Sequence, residues 1–310
     1  LMIRRPPRST HCISSAASDV YKRQSIHQAL ESRTLEGMRI VVDCANGAAS
    51  NFAGPLFTEL GAQVETINAS PNGRNINENC GSTNPTQLRE AVLTSQADLG
   101  LAFDGDADRL VAIASDGATI DGDRQLCLFA KDLAQRAQLP NRHVVITEMS
   151  NQGLREALHL AEISTIEVPV GDRNILTELD AGRATLGGEQ SGHIIFWDHA
   201  TTGDGMLSGA LLADLIIRAE RSSAELARDA MRQFPQALVN VPIKEQTPEL
   251  PTNVQEAIQE TERRIADNGR VLVRQSGTEA VIRVMVEASE EHLAQTEAQR
   301  LAALIQAAIG

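Results

Sequence analysis

Aromatic residues are scarce in this chain: one tryptophan, one tyrosine and six phenylalanines make up 3% of its 310 residues. Hydrophobic residues reach 42%, so a sizeable core is within reach, but it must be aliphatic and rich in alanine. Basic blocks are missing beyond the first residues, and the formal net charge is −13. That balance argues against nucleic acid and anionic membrane as partners. No apolar run nears the ~18 residues that a membrane-spanning helix needs. Cysteine is limited to Cys12, Cys44, Cys80 and Cys127, with no C-x-x-C spacing. These read as ordinary reduced thiols of a cytoplasmic protein. An acidic protein can still take an anionic substrate where arginines and a cation converge locally.

The stretch Leu1 to Gln24 differs from the rest. It carries Arg4, Arg5, Arg8, Lys22 and Arg23 against the single Asp19. It has neither the apolar centre of a secretory signal nor a sustained helical period. We read residues 1–24 as a foreign-looking leader, expected to be disordered.

From Arg39 onward, short apolar strands alternate with helices. Arg39–Asp43, Gln63–Ile67, Asp98–Phe103 and Leu110–Ser115 read as strands, and His143–Thr147, Thr165–Val170, Thr185–Gly188 and Ile194–Trp197 form a second such series. Helical patterns separate them, which indicates layered α/β units. Past Pro235 the order becomes strand, helix, strand, strand, helix. The fold expected is therefore two consecutive three-layer α/β domains followed by a small α+β domain. Boundaries are expected at 25–127, 128–234 and 235–310, and the two α/β units are open to being structural relatives.

Chemistry concentrates in three loops. The first is Asp104-Gly105-Asp106-Ala107-Asp108-Arg109, directly after a strand. Three carboxylates at alternate positions can converge on one hard cation, and an all-oxygen set suits Mg²⁺. Arg109 adds a planar donor for phosphate. An EF-hand loop also starts D-x-D-x-D, but it needs glycine at its sixth position and glutamate at its twelfth, where this chain has Arg109 and Ser115. A solvated acidic turn is the plainer alternative.

The second loop runs Gly188-Glu189-Gln190-Ser191-Gly192-His193. In an extended segment Glu189, Ser191 and His193 face one side. That suits gripping sugar hydroxyls, with His193 a candidate for proton transfer; a satisfied loop histidine beside an exposed glutamate is the alternative. The third is Arg274-Gln275-Ser276-Gly277-Thr278-Glu279, followed by Arg283. Hydroxyls, a close-approaching glycine backbone and two guanidinium groups compose a phosphate cradle, although a polar hairpin turn would use the same residues. Asp172-Arg173 and Thr201–Gly205 add polar strand-end loops, and Asp204 is as suited to capping a helix as to meeting a ligand.

Together these segments resemble the α-D-phosphohexomutase superfamily, and within it the branch acting on glucosamine phosphates. The matching runs are VVDCANGA (Val41 to Ala48), PNGRNINENCGSTNP (Pro71 to Pro85), FDGDADR (Phe103 to Arg109), VGDR (Val170 to Arg173), GGEQSGH (Gly187 to His193), TTGDG (Thr201 to Gly205) and RQSGTEAVIRVMVE (Arg274 to Glu287). The resemblance implies interconversion of glucosamine 6-phosphate and glucosamine 1-phosphate by way of a phosphoserine and glucosamine 1,6-bisphosphate. It implies Mg²⁺ on Asp104, Asp106 and Asp108, with Arg109 beside the transferring group. Substrate would be held by Asp172, Arg173, Glu189, Ser191, Arg274, Ser276, Gly277, Thr278 and Arg283. A phosphosugar is the implied partner, and a homo-oligomer is left open.

The resemblance begins near Ser25, and no run like the family's T-A-S-H-N-P serine motif occurs in the sequence. The expectation is a chain of the family's second to fourth domains, inactive alone. The family often has glycine at Ala107 and proline at Ala280. A sister enzyme for mannose or glucose phosphates, a non-catalytic phosphosugar-binding remnant and, more distantly, a Mg²⁺-dependent phosphatase are the competing readings.

Overall fold

The computed structural model describes residues 15–243, 250–265, 268–276 and 280–309. After helix α1 (Ser15–Ala29), the first unit runs β1 (Arg39–Asp43), α2 (Ala53–Glu59), β2 (Gln63–Ile67), α3 (Thr86–Ser95), β3 (Leu99–Phe103), β4 (Leu110–Ala114) and β5 (Thr119–Ile120). Its five strands lie in the order β2-β1-β3-β4-β5. β1 is parallel to β2 and β3, whereas β4 runs antiparallel to β3. Every residue of β3 is buried, as expected for a strand covered on both faces.

The second unit opens with α4 (Gly122–Gln135), whose first turn is capped by the Asp121 carboxylate accepting from Arg124 N–H at 3.0 Å. β6 (His143–Thr147), α5 (Gln152–Leu160), β7 (Ser164–Val168), α6 (Asp172–Asp180), β8 (Leu186–Gly188) and β9 (Ile194–Phe196) follow, then α7 (Gly205–Ala219) and α8 (Ser223–Ala230). The sheet order is β7-β6-β8-β9, with β6 parallel to β7 and β8, and β9 antiparallel to β8. Strand for strand, this repeats β2-β1-β3-β4 in order and direction. The two units are thus structural repeats of one β-α-β-α-β-β design.

The third unit pairs β10 (Gln236–Pro242), β12 (Val281–Glu287) and β11 (Arg270–Gln275) as an antiparallel sheet. α9 (Thr252–Ile265) and α10 (Glu291–Ile309) pack together, and one apolar cluster joins both helices to the sheet. The three-part α/β, α/β, α+β architecture is the one the sequence indicates.

Two sequence expectations need correction. Helix α1 covers residues 15–24 of the stretch read as a leader, with Lys22 paired to Asp204 at 3.1 Å and Arg23 paired to Glu59. Burial of Ile26 and Leu30 and these ion pairs hold the helix, which is why no amphipathic period announced it. The division expected at 127/128 falls inside α4, an unbroken helix. α7, although it follows the second sheet in sequence, packs on β3 and β4 of the first and against α1 and α4. One apolar cluster consequently runs from Ile26 to Met231 through both units.

Candidate metal and phosphosugar site

The repeat explains where the two central loops lie. The acidic loop joins β3 to β4, and the Glu189–His193 loop joins β8 to β9, the equivalent hairpin of the second unit. Both leave the carboxyl ends of parallel strands, the edge where open α/β sheets place ligands. Backbone hydrogen bonds tie the loops to each other and to two helix starts: Leu110 N–H, just past the acidic loop, donates to Gly192 O at 3.1 Å, Gly122 N–H at the start of α4 to Gln190 O at 3.1 Å, and Gly205 N–H at the start of α7 to Ala107 O at 3.0 Å. Gly192 has φ +90°, and a Cβ there would lie 2.0 Å from Leu110 O. Only glycine lets these chains approach so closely.

Within the acidic loop, one carboxylate oxygen from each of Asp104, Asp106 and Asp108 lies within 4.8 Å of the others. Arg109 N–H donates to Asp104 Oδ1 at 3.2 Å, and Arg109 Nε stands 3.9 Å from both Asp104 and Asp108. Burial, reinforced by the negative charge of Asp108 and Asp106, pushes the Asp104 carboxyl up to about 6, although the Arg109 N–H bond opposes the shift. A divalent cation would relieve this crowding, and three hard oxygen donors are the set Mg²⁺ accepts. The residues therefore fit the ion. Ala107, between the second and third carboxylates, has φ +62°, a conformation that glycine adopts more readily.

His193 is 1% exposed. Its Nδ1 lies 3.1 Å from Asp108 Oδ2, its Nε2 accepts from Gly203 N–H at 3.2 Å, and Asp172 Oδ2 lies 3.7 Å from Nε2. Glu189 is also buried; its Oε1 accepts from Gly171 N–H at 2.9 Å and its Oε2 from Ser191 Oγ at 3.2 Å. Glu189 thereby ties its own loop to the start of α6, where Asp172 occupies the first turn beside an exposed Arg173. Asp204 caps α7 through Met206 and Leu207 N–H, both at 3.1 Å, so its place is the capping one.

Arg274 and Arg283 are register partners across β11 and β12, so their side chains leave the same face of the sheet. Arg274 Nε pairs with Glu148 Oε1 at 3.1 Å. Glu148 N–H in turn donates to Val168 O at 2.9 Å, which places this contact at the carboxyl edge of the second sheet. Ser276 is buried, with its N–H donating to Val281 O at 2.9 Å. Gly277 and Thr278 lie outside the described residues. Sequence reasoning missed Glu148; a lone glutamate after a strand carries no local signal.

Cys44, Cys80 and Cys127 are buried free thiols, and burial beside Asp43 pushes the Cys44 thiol up to about 12. Among the described residues, no helix is long and apolar enough to cross a membrane. A cavity of about 310 Å³, lined by Phe129, Phe196, His199 and Arg218 among others, opens at the other end of the β8–β9 hairpin, away from the candidate site.

Comparison with known proteins places this arrangement in a class. Residues 19–117, 121–234 and 238–304 match, in turn, the models of phosphoglucomutase/phosphomannomutase alpha/beta/alpha domain II, alpha/beta/alpha domain III and C-terminal domain. The chain belongs to the phosphoglucomutase/phosphomannomutase family. Among curated relatives, it is 42% identical over 309 residues to a phosphoglucosamine mutase of Halalkalibacterium halodurans, covering 98% of this chain and 69% of that one. It is 44% identical over 277 residues to a phosphoglucosamine mutase of Shouchella clausii, covering 89% of this chain and 62% of the relative. The chain thus spans roughly two thirds or less of the length of these relatives. A solved structure of Aspergillus fumigatus N-acetylphosphoglucosamine mutase, in complex with GlcNAc-6P and magnesium, shares the fold with a TM-score of 0.75 at 22% identity, over 95% of this chain and 66% of that one.

Proposed function

We propose that this chain carries the Mg²⁺-, sugar- and phosphate-binding parts of a phosphoglucosamine mutase, a cytoplasmic isomerase that moves a phosphoryl group between the 6- and 1-positions of glucosamine. The observation that carries this reading is the convergence of three aspartates in a loop hydrogen-bonded to the Glu189–His193 loop. Relatives above 40% identity bear that name.

In this reading Asp104, Asp106 and Asp108 hold the cation, whose charge stabilises the transferring phosphoryl group when bound. Arg109 stands beside that group. Glu189, Ser191, Asp172 and Arg173 orient the sugar, Glu189 already being fixed by Gly171 N–H. Arg274, Ser276, Gly277, Thr278 and Arg283 anchor the phosphate that stays in place. Having two phosphate seats suits a bisphosphorylated sugar that is held first in one orientation and then in the other. No serine of the family's T-A-S-H-N-P kind is among these 310 residues, so the chain by itself should bind and not turn over.

Calorimetry with Mg²⁺ present should detect glucosamine 6-phosphate more strongly than mannose 6-phosphate or inorganic phosphate, and a coupled assay supplied with glucosamine 1,6-bisphosphate should show no turnover. Equal affinity for all three ligands would remove the sugar assignment. Sustained turnover would overturn the division of labour.

A further inference from the structure

The sequence suggests that His193 moves protons, but the structure gives its ring a different occupation. Gly203 N–H can only donate, so the nitrogen facing it at 3.2 Å, Nε2, must present a lone pair. The ring proton then sits on Nδ1, which is 3.1 Å from Asp108 Oδ2 and donates to it. A doubly protonated ring would set Nε2–H against Gly203 N–H, donor against donor. Asp172 Oδ2, at 3.7 Å from Nε2, is beyond hydrogen-bond range and does not compete.

Access argues the same way. The ring is 1% exposed, and Gly203 packs flat upon it: a Cβ at that position would lie 2.4 Å from the ring. Both nitrogens are committed and neither faces open space. Asp108, by contrast, is one of the three carboxylates that converge in the acidic loop. A histidine held by a backbone N–H on one side and donating to a carboxylate on the other fixes that carboxylate's rotation.

We propose that His193 is a positioning residue for the cation site: as its Nδ1–H tautomer, locked by Gly203 N–H, it orients Asp108 toward the bound ion. This rests on the acidic loop being the metal site. The device also links the two repeats, because the ring comes from the β8–β9 hairpin and its target from the β3–β4 hairpin.

Two substitutions separate the roles of the nitrogens. The side-chain amide of His193→Asn reaches the position of Nδ1 and retains a donor for Asp108. That of His193→Gln reaches Nε2 and leaves Asp108 without one. Mn²⁺ binding to the 310-residue chain, followed by calorimetry and by the electron paramagnetic resonance of free Mn²⁺, should weaken about 10- to 100-fold in His193→Gln and stay near wild type in His193→Asn. Nitrogen-15 NMR of the wild-type imidazole, which needs no variant, should show the Nδ1–H tautomer.

Equal effects of the two substitutions would overturn the proposal, as would a ring protonated on Nε2. If wild type binds no Mn²⁺, or binds it as tightly after Asp104→Asn and Asp108→Asn, the metal assignment fails first, and with it the functional reading.

Discussion

Asp123 illustrates how a single residue can set a pH dependence. It lies in the first turn of α4, fully buried, with Oδ2 accepting from Asn151 N–H at 2.8 Å. Burial, assisted by the charge of Asp121, pushes its carboxyl up to about 7. The folded state then binds the proton more tightly than the unfolded chain does. The stability this provides is full below the unfolded value of 3.8 and is lost as pH rises through about 7. Between pH 5 and pH 8 the wild type should lose stability on the order of a few kcal/mol through this group. Asp123→Asn, which keeps an oxygen for Asn151, should remove that loss, so urea denaturation at the two pH values should show a flatter dependence for the variant. Parallel pH profiles would mean that the buried carboxyl is not perturbed. Nothing local in the sequence announces this: an aspartate in a first helical turn normally reads as exposed and favourable to the helix dipole.

At the level of elements, strands were legible as short runs of apolar and β-branched residues bounded by Gly, Asn, Asp or Pro, whether buried throughout like Leu99–Phe103 or largely exposed like Gln63–Ile67. Arg39–Asp43, Gln63–Ile67 and His143–Thr147 form as the pattern indicates. α8 was missed in the sequence, although its buried Ser223, Leu226, Ala227 and Ala230 recur at helical spacing. It is an eight-residue helix whose start is marked by the reciprocal cap of Ser222 and Glu225, a signal present in the sequence and easily overlooked beside the long apolar α7. The two functional hairpins depend on backbone contact more than on side chains. Gly192→Ala would drive a methyl group into Leu110 O, against a φ of +90°, and should cost at least ~3 kcal/mol. Its thermal midpoint should drop, with Mn²⁺ affinity falling in parallel because the same contact supports the acidic loop. A variant with unchanged midpoint and affinity would show that the hairpins hold their positions independently.

On the scale of the whole molecule, the third unit is held to the second by a small polar junction. Glu287, fully buried, takes Arg270 Nε at 2.8 Å and Gln152 N–H at 3.0 Å on one oxygen, and Gln236 Nε2 at 3.1 Å on the other. Arg270 continues to Glu148 O at 2.7 Å and Ser150 O at 2.8 Å. Removing one partner of a buried, hydrogen-bonded ion pair leaves the other uncompensated, so Glu287→Ala should cost about 3–5 kcal/mol. Scanning calorimetry is expected to show the third unit melting separately and earlier, since its apolar cluster is distinct from that of the first two. A single unsplit transition at the wild-type temperature would contradict this. The same junction holds Arg274 against Glu148, so its loss should also weaken binding of inorganic phosphate.

The chain by itself determined which segments carry chemistry. The acidic run, the Glu189–His193 loop and the arginine-rich hairpin are each contiguous, and their residue types and flanking strands are local properties. What those residues do to one another was decided by tertiary structure. The hydrogen bond from His193 to Asp108 spans 85 positions, and the α7 helix packs on a sheet completed far upstream. Hydrogen bonds and burial act over a few ångströms of space, whatever the separation along the chain. Only folding brings a histidine of the second repeat onto an aspartate of the first, and that proximity, absent from any local pattern, turns a plausible proton carrier into the proposed support for a cation site.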